Sequence, residues 1–346
     1  MKDQPKRPGL HVIIAGGSID FMFNPAYERS TEKVDAAIPR EHSIIPHFLR
    51  QRVKMPGDRL NFSRVAIKDS RDMTEQDLEA LAQEIQASPY QTVLVTYGLV
   101  KMGEAAEFLR SHDLGGRTIG LVGSHMPFTE YQSDAGFHLG YAVGKIHTAG
   151  SGVHSFHPSS NAHAVKDILS RTVVHLTGGT IDSGYNDKAD TATPYEHSKV
   201  PVYLREVVGV ELAEPDFVFR EICMKDSRQL GEEDIRTLLD EARRNEHKQQ
   251  IVTIGTYALP DEAGRFEHMI QSGDLPASKY IFVGAMLPDD VHLNDGWFNV
   301  GYALGRIDSL PTGAFVSMHG WVTSPKNVVK QLREARFGLY DKDKTF

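Results

Sequence analysis

One cysteine, Cys223, is all that the 346 residues contain, which excludes a disulfide framework within the chain and accords with a reducing compartment. Positive charge is scarce as well. Lys and Arg number 38 against 46 Asp and Glu, a formal net charge of -8, so no extended basic surface is expected to neutralise a phosphate backbone. Long apolar runs are missing: none suffices to span a bilayer, and the basic N-terminal segment MKDQPKRPGL is not followed by a run of signal-peptide length. Nucleic-acid binding and membrane insertion are thereby set aside, and a cytoplasmic protein handling a small molecule is the expectation. With 40% apolar and 24% charged residues, the chain is long enough for two ordinary domains with their own cores.

The sequence repeats itself. LHVIIAGGSID (Leu10 to Asp20) returns as TVVHLTGGTID (Thr172 to Asp182), PREHSIIPHFLR from Pro39 as PYEHSKVPVYLR from Pro194, and KDSRDMTEQDLEAL from Lys68 as KDSRQLGEEDIRTL from Lys225. TVLVTYG before Leu99 parallels QIVTIGT, IGLVGSHMP parallels YIFVGAMLP, and GYAVGKI from Gly140 parallels GYALGRI from Gly301. Matches in one order at an offset of about 160 residues mark an internal duplication whose boundary falls near Arg171.

Each copy alternates strand and helix. HVIIA, TVLVTY and TIGLVG are short, apolar and β-branched, as strands buried on both faces of a parallel sheet are. Between them run amphipathic segments such as Leu78, Leu81 and Ile85 behind a Thr74 N-cap, matched by Ile235, Leu238 and Leu239. The predicted fold class is α/β: two tandem repeats of a doubly wound, mostly parallel sheet flanked by helices, with ligands expected at the carboxyl ends of strands. Cys223 falls in a predicted strand, with packing as its expected role.

Gly16-Gly17-Ser18 and Gly178-Gly179-Thr180 fall at such strand ends, where glycine lets the backbone approach a ligand. The small hydroxyl suits a nucleophile or an anion contact; an ordinary strand-to-loop turn is the plainer alternative. Neither copy has the G-x-G-x-x-G spacing of a dinucleotide site.

LTGGTI, KDSR-x-(M/L)-x-x-x-D, T-x-GT-x-x-L and VGAM-x-P with ND-x-x-FN-x-x-x-A occur in that order from Leu176 to Ala303. This series resembles the N-terminal domain of the bacterial-type L-asparaginases, closely in residues 171–346 and more loosely in 1–170. The resemblance implies an amidohydrolase that needs no cofactor and no metal. It assigns Thr180 as the nucleophile that forms an acyl-enzyme, Tyr195 as the mobile-loop tyrosine that activates it, and Ser227 as the contact for a substrate carboxylate. Gly179, Asp226 and Arg228 adjoin that contact, and Arg228 would reinforce it by charge-assisted pairing. Thr256 and Lys330 match the family's threonine and lysine pair, with Lys330 expected early in a helix started by Ser324 or Pro325. Together they form a set suited to acyl transfer.

The departures from the family's pattern are informative. Tyr257 stands where the family has an aspartate that binds the substrate's α-ammonium. Either the substrate lacks a free α-amino group, or another carboxylate such as Asp182 or Asp295 substitutes, or activity is low. The family completes its site with a C-terminal domain of a neighbouring subunit; here a second copy of the N-terminal domain occupies that part of the sequence. In the first repeat Ser18, Ser70 and Arg71 persist, but Leu99 and Val100 replace Thr256 and Tyr257, Arg40 replaces Tyr195, and Lys166 matches Lys330 only across a gap. The first repeat, 1–170, is therefore expected to carry a degenerate site and the second, 171–346, the better preserved one. Asp20 and Asp182, two residues after the hydroxyls, suit either a base or a helix or turn cap, and the cap is the favoured reading. His154, His157 and His163 have metal-like spacing but no nearby carboxylate in sequence, so a loop cluster is the plainer account. Met126 and Met286 are expected to pack behind the site.

The sequence thus leads to an asparaginase-like amidohydrolase releasing ammonia from a small carboxylate-bearing amide, with a small-ligand-binding pseudoenzyme as the alternative. The repeats are expected to pack about a pseudo-two-fold axis, and a homodimer of such chains is the expected assembly.

Overall fold

A computed structural model describes residues 7–23, 37–188, 191–212, 218–245, 248–331 and 336–340. The first repeat comprises β1 (Arg7–Gly16), β2 (Phe21–Phe23), β3 (Ala37–Pro39), α1 (Ile45–His47), β4 (Leu60–Lys68), α2 (Glu75–Ala87), β5 (Tyr90–Thr96), α3 (Met102–Arg110), β6 (Thr118–Val122), α4 (Ala135–Ile146), β7 (Gly152–Phe156) and α5 (Pro158–Ser170). The second comprises β8 (Thr172–Gly178), β9 (Ser183–Asn186), β10 (Thr191–Pro194), α6 (Val200–Glu206), β11 (Phe219–Lys225), α7 (Glu232–Arg244), β12 (Gln249–Thr253), α8 (Leu259–Ser272), β13 (Lys279–Val283), α9 (Gly296–Arg306), β14 (Gly313–Met318), β15 (Trp321–Thr323), β16 (Val328–Gln331) and β17 (Arg336–Leu339).

The main sheets run β4-β1-β5-β6-β7 and β11-β8-β12-β13-β14-β15. All pairings are parallel except the antiparallel β14–β15 pair. In each repeat the first strand lies between the second and the third, so the chain leaves in opposite directions on either side of it and opens a crevice at its carboxyl end. This is the doubly wound α/β arrangement expected from the alternating strands and helices. Among the described residues no helix is long and apolar enough to cross a membrane.

Side-chain alternation divides each sheet between two cores. Val12 and Ile14 of β1 point into a cluster that continues through Val174 and Leu176 of β8, so one core is shared by both repeats. Ile13 and Ala15 point the other way, into a cluster confined to the first repeat, and Val252 and Ile254 enter a third confined to the second. Burial on both faces explains why these strands read as continuous apolar runs. Helix entry is also specified locally: Thr74 caps α2 by accepting from Asp77 N–H at 3.2 Å, while Asp77 accepts from Thr74 N–H at 2.8 Å. In the second repeat, Gly231 holds the cap position and Asp234 accepts its N–H at 2.9 Å. The same two carboxylates pair with Lys68 and Lys225, the lysines that open the two KDSR segments.

At the centre, α4 and α9 pack backbone to backbone. A Cβ added to Gly140 would strike the carbonyl oxygen of Phe298, and one added to Gly301 would strike that of Phe137. A Cβ on Gly144 would come within 3.2 Å of Gly305 Cα, and one on Gly305 within 3.2 Å of Gly144 Cα. Each contact is returned by its counterpart in the other repeat, which is the signature of a pseudo-two-fold axis. Further ties cross the boundary: Asp308 pairs with Lys145 at 3.5 Å, Tyr203 O–H donates to Ser133 O at 2.8 Å, and His319 Nδ1 donates to Val53 O at 2.6 Å.

Alanine at Gly140 or Gly301 forces the helices apart, and overpacking of this kind costs about 1–3 kcal/mol. Urea denaturation should show that loss for each variant, with Gly150→Ala, whose added Cβ meets nothing within 4 Å, as the control. Equal stability of Gly140→Ala and Gly150→Ala would refute the tight interface.

Candidate active site

The second repeat's site is made by three loops pressed together at strand ends. Gly178 and Gly179 close β8 with φ of 85° and 78°, a region that L side chains rarely adopt. A Cβ on Gly179 would collide with the backbone of Gly255 after β12, and one on Gly255 would collide with the Ser227 hydroxyl after β11. The loops approach this closely because glycine stands at both crossings. The result is a cavity of about 200 Å³ lined by Gly179, Thr180, Asp226, Ser227, Arg228, Gly255, Thr256, Tyr257 and Lys330. Eight of these are among the residues singled out from the sequence. Gly255, overlooked there, is signalled only by the glycine of the T-x-GT segment.

Its charges are arranged in pairs. Asp226 accepts from Arg228 N (2.8 Å), Nε (3.0 Å) and, through its second oxygen, Nη2 (2.8 Å), and this pairing holds the carboxyl below its usual range. Lys330 Nζ donates to Thr256 O at 3.2 Å and stands 4.9 Å from the centre of the Tyr257 ring, a cation–π distance. Burial, with Arg228 nearby, holds Lys330 below the ordinary lysine range. Its place in the fold differs from the expectation. Ser324 and Pro325 start only a single 3-10 turn, Pro325–Asn327, and Lys330 projects from the β16–β17 hairpin. A helix would have continued past Asn327, but the β-branched pair Val328-Val329 pairs with Leu339 and Gly338 instead.

Tyr195 and Asp182 are not among the lining residues. Tyr195 follows β10, its hydroxyl donates to Asp289 Oδ2 at 3.4 Å, and Lys199 Nζ lies over its ring at 3.8 Å while reaching the same carboxylate at 3.3 Å. Burial pushes the Tyr195 phenol up. Asp289 and Lys199 carried no recognisable signal in the sequence. Asp182 is fully buried, accepting from Ser198 Oγ and from Lys199 N–H, both at 2.8 Å. Asp20 accepts from Ile44 N–H at 2.8 Å. Both aspartates therefore tie down the entry to the next helix, which accounts for the EHS segment in both copies. Asp295 is likewise engaged, with Met286 N–H, Leu287 N–H and Asn299 Nδ2.

Among the described residues of the first repeat the corresponding positions are engaged differently. Ser18 O–H donates to Ser124 O, Ser70 Oγ accepts from Lys101 N–H at 3.3 Å, and Val100 is 72% exposed. Arg71 is bound to Asp69 as Arg228 is to Asp226. Lys166 lies on an exposed position of α5, the helix that leads into β8 where the second repeat has its hairpin.

The histidine cluster is not a loop. His154 is in β7, His157 caps α5 by accepting from Ser159 N–H, and His163 is on α5. A different trio, His125, Asp134 and His138, brings its side-chain atoms within 4.8 Å of one another. Asn161 Nδ2 donates to His138 Nδ1 at 3.1 Å, which places that ring's proton on Nε2, 3.3 Å from Asp134. A protonated nitrogen offers no lone pair, so this arrangement does not suit a metal ion. Met286 packs against the second repeat's core, whereas Met126 is 40% exposed and does not back a site. Cys223 sits in β11 with Sγ toward Thr177 O, and burial pushes its thiol up to about 11.

Two doubly wound units, one with a hydroxyl-lined cleft at its strand ends, define a tandem α/β protein. The Asparaginase, N-terminal family model matches residues 10–154 and again residues 171–339. The chain belongs to that family. No curated protein matches it. Among solved structures it is similar to L-asparaginase I from Vibrio cholerae (16% identity, 49% of this chain and 51% of that one, TM-score 0.39) and to the thermostable L-asparaginase from Thermococcus kodakarensis (19%, 50% and 55%, 0.39). A probable cytoplasmic L-asparaginase from Campylobacter jejuni is similar at 20% identity over 51% and 57%, with a TM-score of 0.38. The chain spans about half the length of each of these structures.

Burial raises Asp182 from 3.8 to about 6, so between those values the folded protein binds the proton more tightly than the unfolded chain does. This contribution to stability is full below the unfolded pKa and is lost as pH rises through about 6. Asp182→Asn, which can still accept from Lys199 N–H and donate to Ser198 Oγ, should flatten the decline in unfolding free energy between pH 4 and 6. An unchanged profile would show that the carboxyl does not titrate there.

Proposed function

We propose that this protein is an amidohydrolase that releases ammonia from a small carboxylate-bearing amide. The observation that carries the proposal is the convergence of Thr180, Ser227, Thr256 and Lys330 on one cavity. Ser227, 8% exposed at the rim of the strand-end crevice, holds the substrate carboxylate. Thr180 Oγ attacks the amide carbon, its proton passes to the departing nitrogen, and ammonia leaves behind an ester on Thr180. Water then cleaves the ester and returns the threonine hydroxyl, leaving the free acid. Lys330, desolvated and held against the Thr256 carbonyl, supplies the positive charge that stabilises the developing oxyanion. Activation of the hydroxyl falls to Tyr195, which has to exchange its hydrogen bond to Asp289 for one to Thr180. The first repeat serves as the structural partner, and the protein acts in the cytoplasm as a homodimer.

The engagement of Tyr195 with Asp289 and of Arg228 with Asp226 favours a second reading, a pseudoenzyme that binds the ligand without turnover. Ammonia release from a panel of small amides separates the two. Thr180→Ala should lose at least about a thousandfold in turnover, while Ser18→Ala should match the parent protein. Binding with no ammonia from any amide would establish the pseudoenzyme.

A further inference from the structure

The cavity's charges decide which amides fit it. Its described lining contains one carboxylate, Asp226, and two cations, Arg228 and Lys330. Asp226 is paired with Arg228: one oxygen accepts from Arg228 N and Nε, the other from Nη2, so the guanidinium offsets its charge and Lys330 leaves the lining one positive charge in surplus. Lys330 uses a neutral carbonyl and a ring face, and the positive field of Arg228 reaches it. The other carboxylates suggested by the sequence are spent elsewhere, Asp182 on the entry to α6 and Asp295 on the loop after β13. Asp289 is held by Lys199 and Tyr195. Asp261, in the first turn of α8, is felt by Lys330 but does not line the cavity.

A ligand carboxylate therefore enters a site with surplus positive charge and the hydroxyls of Thr180, Ser227 and Thr256. An ammonium on the adjacent carbon would meet Lys330 and Arg228, with the one lining carboxylate already paired to Arg228, and like charges a few ångströms apart repel. Tyr257, a ring 61% exposed at the cavity wall and 4.9 Å from Lys330 Nζ, offers contact to methylene groups. We propose that the site takes monoamides of short dicarboxylic acids that carry no α-amino group, and discriminates against α-amino acid amides such as asparagine. The proposal rests on the amidohydrolase reading for the reaction but on charge alone for the preference. Hydrolysis of the monoamide by one water yields the dicarboxylate and ammonium.

The test separates the two. Isothermal titration calorimetry on the full chain compares succinate with L-aspartate, the acids left by deamidation, and so reads the charge preference whether or not turnover occurs. Succinate should bind about tenfold or more tightly than aspartate at neutral pH, and Tyr257→Asp, which adds a carboxylate beside Lys330, should narrow or reverse that ratio. Equal or tighter binding of aspartate by the parent protein overturns the proposal, as does failure of both acids to bind. In parallel, ammonia release is followed from succinamate and from asparagine. Faster release from succinamate supports both readings; faster release from asparagine overturns the charge preference and keeps the hydrolase. No release from either, with succinate still preferred in binding, removes the hydrolase and keeps the preference.

Discussion

The contact between α4 and α9 fixes the rest of the molecule. Where Gly140 meets Phe298 and Gly301 meets Phe137, two helices approach closely enough for backbone atoms to touch, and small residues are what permit such an approach. Both helices are buried nearly all round, so neither repeat presents a finished surface by itself. Once the glycines set the separation, the inner faces of the two sheets stand at the distance that the shared core fills. The strand ends, the crevices and the loops that cross them follow from that placement.

Duplicated halves have diverged where packing allows. The Asp20 and Asp182 ties, the lysine and aspartate pairs after β4 and β11, and the glycines of α4 and α9 occur in both copies because each closes a backbone or charge demand common to both. Among the cavity-lining positions the glycines and the Asp-Ser-Arg segment also recur, and divergence is confined to side chains that close no such demand. Leu99 and Val100 sit where Thr256 and Tyr257 sit, and a helix, α5, continues from the first repeat where the second forms the hairpin carrying Lys330. One chain therefore holds two scaffolds of the same plan whose strand-end clefts are lined differently.

Much of this was legible in the sequence, for physical reasons that differ by element. The repeat, the alternation of strand and helix and the Thr74 cap are local patterns set by side-chain periodicity and capping chemistry. The clustering of Thr180, Ser227 and Thr256 was legible because all three follow strands of a parallel sheet, whose carboxyl ends converge. Lys330 was placed in the wrong element because Ser324-Pro325 is an equally good start for a helix or a single turn, and the hairpin pairing that decided it comes from outside the segment. The Tyr195, Asp289 and Lys199 assembly was illegible: its carboxylate lies about 90 residues along the chain from its partners, and no spacing rule connects them. Asp182 accepts from Ser198 Oγ and Lys199 N–H just before α6, although its burial and raised pKa are also those of a catalytic acid.

The central helix pair also orders events in time. Gly140 and Gly301 are partners across nearly half of the chain, so during synthesis α4 is complete long before α9 exists. At the usual rate of elongation the interval is on the order of ten to thirty seconds. Throughout it, the face of α4 that carries Phe137 and Tyr141, and the apolar side of the sheet beneath, have no cover of their own. The face that closes the finished chain upon itself is thus open for that interval, and its partner is a second copy of the same plan made later on the same chain.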